Sequence, residues 1–94
     1  MLTNLIITAY CACQICCGSN APRGITASGT IPTQNRTIAT GRRDIPFGSR
    51  IVLFGQTYIV EDRMARRYDT TKATYIDVYF RRHSDAKKFG VKRI

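Results

Sequence analysis

The stretch Thr74 to Gly90, TYIDVYFRRHSDAKKFG, decides how the rest of the chain is read. In its first half Tyr75, Asp77 and Tyr79 interleave with Ile76, Val78 and Phe80. Side chains along a strand point to opposite faces in turn, so the segment predicts a strand with one apolar face and one face carrying a carboxylate between two phenols. An acid framed by aromatic rings on an accessible face suits a sugar site. Ser84 is then the expected N-cap of a short helix in which Ala86 and Phe89 face inward and Gly90 ends the last turn.

Working back from this strand, residues 63–73, RMARRYDTTKA, hold three arginines, one lysine and one acid. They predict an exposed connection that flanks a groove. RIVLF and TYIVED read as a hairpin with Gly55 and Gln56 at its tip. Pro46, in IPFG, cannot donate to a ladder and marks a bend instead of a central strand. RTIATG (36–41) is a further strand, preceded by a turn over Pro32 to Asn35. ITASGT (25–30) reads as a short strand ending in a tight turn at Gly29, Gly18 to Gly24 as a loop, and Met1 to Tyr10 as the first strand. The pattern predicts a mainly β fold, a small barrel or sandwich of about six short strands with one C-terminal helix. Its expected core is Ile51, Val52, Leu53, Ile59, Val60, Ile76, Val78, Phe80 and Phe89.

Ninety-four residues suffice for one domain, spanning 1–94, and are too few for two. Fifteen Lys and Arg against six Asp and Glu give a net charge of +9. Such a surface collects polyanions, whether nucleic acid, teichoic acid or an anionic wall, and its binding weakens with salt in each case. No charged side chain precedes Arg23. The neutral opening lacks the basic flank and small-residue cleavage site of an export signal, and no stretch reaches the ~20 apolar residues of a membrane span. A monomer is expected.

Cys11, Cys13, Cys16 and Cys17 fall within one short segment. They offer two short disulfides, free thiols or a metal site. A tetrahedral ion is the weaker alternative, because adjacent Cys16 and Cys17 do not readily point at one centre. Stapling a loop beside the first strand is the simpler role, and no cofactor is expected.

Several segments taken together resemble a known family. TAYCAC with CCG, GITASGT, RTIA, IPFGSRI, TYIVEDR and above all IDVYFRRHSDAKKFG are similar, in this order, to the three-aspartate (3D) domain. That family is related to the catalytic domain of membrane-bound lytic transglycosylase A. The resemblance implies a six-stranded double-psi β-barrel that cleaves the glycan strands of bacterial peptidoglycan, acting at the cell wall by an extracytoplasmic or phage-delivered route. It implies that Asp77 is the catalytic acid and that Asp62, in VEDR, is the second family aspartate. Two segments differ from the family pattern. Thr40-Gly41-Arg42 stands where the first aspartate is expected, with Asp44 nearby but out of register, and residues 63–73 replace a glycine-rich turn.

The expected chemistry needs one acid. The carboxylic acid protonates the glycosidic oxygen, and the C6 hydroxyl of the same muramoyl residue attacks C1 after giving its proton to that carboxylate. The second carboxylate of an ordinary glycosidase is not required. The acid must remain protonated near neutrality, which apolar or aromatic neighbours favour and nearby arginines oppose. Tyr75 and Tyr79 are candidates to supply that setting and to stack on sugar rings. Tyr10, Thr8, Thr26 and Ser28 offer hydroxyls to the same groove, though all are also ordinary strand and turn residues. Glu61 points away from Asp62 if the strand is regular, and His83 is read as a helix-start or solvent residue. The competing expectation is a non-catalytic basic barrel that grips wall glycan through its arginines. Its nucleic-acid variant is weaker, because no nucleic-acid motif accompanies the charge.

Overall fold

A computed structural model describes residues 4–11 and 25–94. Strands β1 (Leu5–Tyr10), β2 (Thr37–Thr40), β3 (Arg50–Leu53), β4 (Gln56–Arg63), β5 (Thr74–Tyr79) and β6 (Lys92–Arg93) form one mixed sheet. A 3-10 turn (Arg66–Tyr68) precedes β5, and helix α1 (His83–Phe89) follows it. The spatial order is β3-β4-β2-β5-β1-β6. Parallel pairs β1/β5 and β2/β4 meet through the antiparallel contact of β2 with β5. The alternating stretch therefore becomes an interior strand, hydrogen-bonded on both sides.

Ile7, Ile38, Leu53, Tyr58, Val60, Ile76 and Val78 make one buried cluster. Strands β3 and β1 stand four places apart in the sheet, which is about 19 Å if the sheet is flat. Leu53 and Ile7 nevertheless belong to the same core, so the sheet curls into a half-barrel around them. Phe80 and Phe89 pack against this cluster, and Ala86 is buried, so α1 closes one side with the face expected of it. Ile38 and Ile76 have no exposed surface. Cutting either to Ala costs about 2–5 kcal/mol.

Several elements depart from the sequence reading. Residues 25–30 form a turn instead of a strand: Thr26 N–H donates to the Thr30 carbonyl, and Thr30 N–H donates back to Thr26 Oγ1 at 3.1 Å. Local hydroxyl bonds of this kind compete with a ladder, and Gly29, at φ 92°, completes the turn. The sixth strand is Lys92–Arg93, which pairs with Ile6 and Ile7 and carries no apolar alternation by which it could be read. The hairpin tip is Phe54-Gly55, one residue earlier than expected, with φ of 53° and 76° as in a type I′ turn. Arg82 occupies the N-cap of α1, without a side-chain cap, in place of Ser84. Val52 is 67% exposed and outside the core, because edge strand β3 turns only Ile51 and Leu53 inward. Ile59 is half-buried, while its neighbours Tyr58 and Val60 face the core. No helix of the described residues is long and apolar enough to cross a membrane.

Candidate active site

Opposite the Ile38, Ile76 and Val78 side chains, four positions line up across the sheet. Ala39 of β2 pairs with Asp62 of β4 on one side and Asp77 of β5 on the other, and Asp77 pairs in turn with Thr8 of β1. The two acids are thus at most about 10 Å apart at Cα, with only a methyl group between them. Asp62 joins this row because the β2/β4 register shifts between Ile38 and Ala39: Ile38 faces Val60, yet Ala39 faces Asp62. Glu61 is the extra residue of that bulge. A bulge re-aims the side chains that follow it, and here it lets Val60 enter the core while Asp62 serves the opposite face.

Glu61 is consequently buried away from the row. It accepts a 2.6 Å hydrogen bond from Thr37 Oγ1 and pairs with Arg36 Nε at 3.3 Å. This agrees with the exclusion of Glu61 from the site, although the strand reaches that outcome by being irregular.

Asp77 is half-buried, and its carboxyl is pushed up from 3.8 to about 6. Burial is the main cause. The hydrogen bond donated by Thr8 Oγ1 to Asp77 Oδ1 at 2.8 Å acts in the opposite direction, and the charge of Asp62 adds a smaller upward push. None of the arginines near the cleft forms an ion pair with Asp77 among the described residues. Arg63 donates to the carbonyls of Arg42 and Ile45 and lies 4.5 Å from the Phe47 ring centroid. Arg81 and Arg82 line a separate depression with Gln34 and Asp85. Among the described residues the ion pairs are Arg36 with Glu61 and Arg42 with Asp44.

Asp62 is held by three donors. Tyr10 Oη reaches Oδ2 at 3.0 Å, while the backbone N–H groups of Ala27 and Arg63 reach Oδ1 at 3.0 and 2.9 Å. The two carboxylates therefore differ: one is fixed by backbone and phenol, the other is raised by desolvation.

A cleft of about 560 Å³ lies over the row. Thr8, Ala39, Asp62 and Asp77 contribute from the sheet, while Met64, Ala65, Arg67 and Tyr68 contribute from the connection after β4. That connection sits on Gly41. A Cβ added there would lie 2.2 Å from the Tyr68 carbonyl oxygen and 2.4 Å from its Cβ. The Tyr68 ring also packs on Tyr75, with centroids 4.9 Å apart. Asp69 Oδ1 accepts the Arg43 N–H at 3.2 Å, and Arg43 Nη1 donates to the Gly41 carbonyl at 2.9 Å. Thr40-Gly41-Arg42 and residues 63–73 are thus mutually fitted. The connection rests where only glycine leaves room.

The remaining predicted residues divide. Tyr10 lines the cleft and binds Asp62. Tyr79 is buried, edge-on to Tyr10 at 5.6 Å, and backs the site without lining the cleft. Tyr75 is committed to Tyr68. Thr26 and Ser28 bond each other at 3.1 Å within the turn whose Ala27 N–H holds Asp62, so they support that acid from behind. His83 Nδ1 lies 3.7 Å from the Sγ of Cys11, which is buried at the end of β1. Cys13, Cys16 and Cys17 lie outside the described residues. Thr8 was legible as a groove hydroxyl, and Met64 and Tyr68 come from the connection expected to flank a groove, whereas Ala39 enters the site through pairings between distant segments. Compared with known proteins, the chain matches no family model and no curated protein.

Proposed function

We propose that this protein is a peptidoglycan lytic transglycosylase-like enzyme, cleaving the bond from N-acetylmuramic acid to N-acetylglucosamine with Asp77 as its acid and base. The observation that carries this reading is a carboxyl raised to about 6, on an interior strand, at the floor of an open cleft. At pH 7 about a tenth of Asp77 is protonated, against less than a hundredth for an unshifted carboxyl. Asp77 donates its proton to the glycosidic oxygen as the C1–O bond breaks, then takes the proton of the muramoyl C6 hydroxyl as the C1–O6 bond forms. The proton returns to Asp77, no water is consumed, and the product ends in a 1,6-anhydro ring. Asp62, fixed by Tyr10, Ala27 and Arg63, faces the same sugar and supports the positive charge that develops at C1. The double-psi form of the barrel belongs to the same proposal. It is supported by the two long-range parallel pairs, β1/β5 and β2/β4, joined through β2/β5.

The test is incubation with purified sacculi, followed by mass spectrometry for 1,6-anhydromuropeptides. Wild type releases them, and Asp77→Asn releases at least a thousandfold less, as loss of both acid and base requires. A second reading, a wall-glycan binder without catalysis, draws on the net charge of +9 and on Gly41, where the first 3D aspartate is expected and Tyr68 rests instead. In that case sacculi retain the protein in a salt-dependent way, Asp77→Asn leaves retention unchanged, and no anhydro product forms.

A further inference from the structure

We infer that Arg67 makes this cleft selective for glycan strands that carry a free carboxylate on the muramoyl residue; this inference rests on the proposed glycan substrate. Arg63 ends β4, Arg66 and Arg67 lie in the connection after it, and the surroundings of the three differ. Arg63 is spent on the protein, bonded to two carbonyls and stacked on Phe47. Arg66 and Arg67 are both exposed, but Arg66 does not line the cleft. Arg67 lines it. Its guanidinium lies 4.9 Å from the Tyr68 ring centroid, and Nη2 donates to the Tyr68 hydroxyl at 3.1 Å. Neither contact neutralises the charge, and among the described residues no carboxylate forms an ion pair with it.

The cation is also held in place. Tyr68, on which it lies, is seated on Gly41 and Tyr75, so the guanidinium is presented by a packed turn. A planar guanidinium stacked on an aromatic face keeps N–H edges free for a bidentate carboxylate. Arg67 and Asp77 line the same cleft from different elements, the cation from the connection after β4 and the acid from β5 in the sheet. Asp62 and Asp77 repel an anion from the sheet side. A ligand carrying one negative group therefore has a single favourable orientation, with that group toward Arg67 and its glycosidic bond toward Asp77. On a muramoyl residue the carboxylate is either that of the 3-O-lactyl group or one borne by an attached peptide.

The experiment measures binding, so that it does not depend on turnover. The full chain carrying Asp77→Asn is titrated calorimetrically, with and without Arg67→Gln or Arg67→Lys. Four tetrasaccharides serve as probes: chitotetraose, a muramoyl glycan with free lactyl carboxylates, the same glycan with those groups capped as methylamides, and one bearing peptides. A carboxylate-bearing glycan binds about tenfold more tightly than its neutral counterparts, the value of one charge-assisted contact at a partly exposed site. Arg67→Gln removes that preference and leaves the neutral ligands within about twofold, and Arg67→Lys restores part of it. Preference for the uncapped lactyl glycan identifies the lactyl source; preference only for the peptide-bearing one identifies the peptide. Equal affinity for acidic and neutral glycans, equal weakening of all ligands by Arg67→Gln, or no binding by any of them overturns the inference. The proposed catalysis fails separately, when wild type gives no anhydro product while the Arg67-dependent preference persists.

Discussion

Replacing Asp77 by Asn should make the fold more stable at neutral pH and leave it nearly unchanged in acid. In the folded chain the Asp77 carboxyl titrates at about 6, against 3.8 for an ordinary aspartate. Between these values the folded state holds a proton that the unfolded chain has lost, so stability falls as pH rises through the window and stays reduced above it. A difference of about two units corresponds to roughly 3 kcal/mol, an upper figure for a half-buried group that water partly screens. We expect a gain of about 1–3 kcal/mol for Asp77→Asn at pH 7.5, or some 5–15 °C in Tm for a domain of this size. Asn retains an oxygen to accept the Thr8 hydroxyl. Denaturant unfolding of both proteins at pH 3.5 and 7.5 isolates the effect, because titrating groups that do not interact with Asp77 cancel in the difference. An Asp77→Asn protein no more stable than wild type at pH 7.5, or one whose gain is equal at both pH values, refutes the desolvated acid.

The same carboxyl can be shifted through its neighbours. Thr8→Val removes the hydroxyl that favours the ionised form and should move the alkaline limb of kcat/KM upward by about one pH unit, whereas Asp62→Asn removes a repelling charge and should move it downward. Limbs that stay in place, measured on sacculi or defined glycans, would mean that another group is titrating. Gly41→Ala forces a methyl group against the Tyr68 backbone and should cost about 1–3 kcal/mol, with loss of glycan binding as the connection lifts. Chemical unfolding checks the first effect and calorimetry the second; a change under 0.5 kcal/mol would show that the fit of Tyr68 on Gly41 is not real.

The parts of this fold that are written locally were legible in advance. The alternation of Ile76, Val78 and their polar partners gave β5 its two faces, and Ala86 with Phe89 gave α1 its inner face. Asp77 was visible for the same reason, as the one acid on the polar side of a strand with an apolar reverse. Asp62 was different. Strict alternation in YIVED sets Val60 and Asp62 on one face, and only the bulge at Glu61 separates them. No pattern within β4 announces that bulge, because it arises from the register against Ile38 and Ala39.

Contacts between distant segments account for most other differences. Ala39 is an unremarkable residue in sequence, yet its small side chain separates the two acids. The arginines at and beyond the end of β4 looked capable of ionising Asp77, but Arg63 instead bonds carbonyls of residues 42 and 45, about twenty positions earlier. Strand β6 is two cationic residues whose extended form depends on the neighbouring backbone of β1. Tyr75 was read as a sugar platform from its spacing alone; Tyr68 claims its ring.

The most direct test of Asp77 as the proton donor in glycan cleavage is digestion of a defined, uncrosslinked peptidoglycan glycan in water enriched in ¹⁸O, with mass spectrometry of the new muramoyl ends. The proposed reaction uses the C6 hydroxyl of the sugar itself, so the new ends are 1,6-anhydro, carry no ¹⁸O and do not form with Asp77→Asn. Reducing ends that contain ¹⁸O would show that water is the nucleophile, and an undigested glycan would contradict Asp77 as the acid of glycan cleavage.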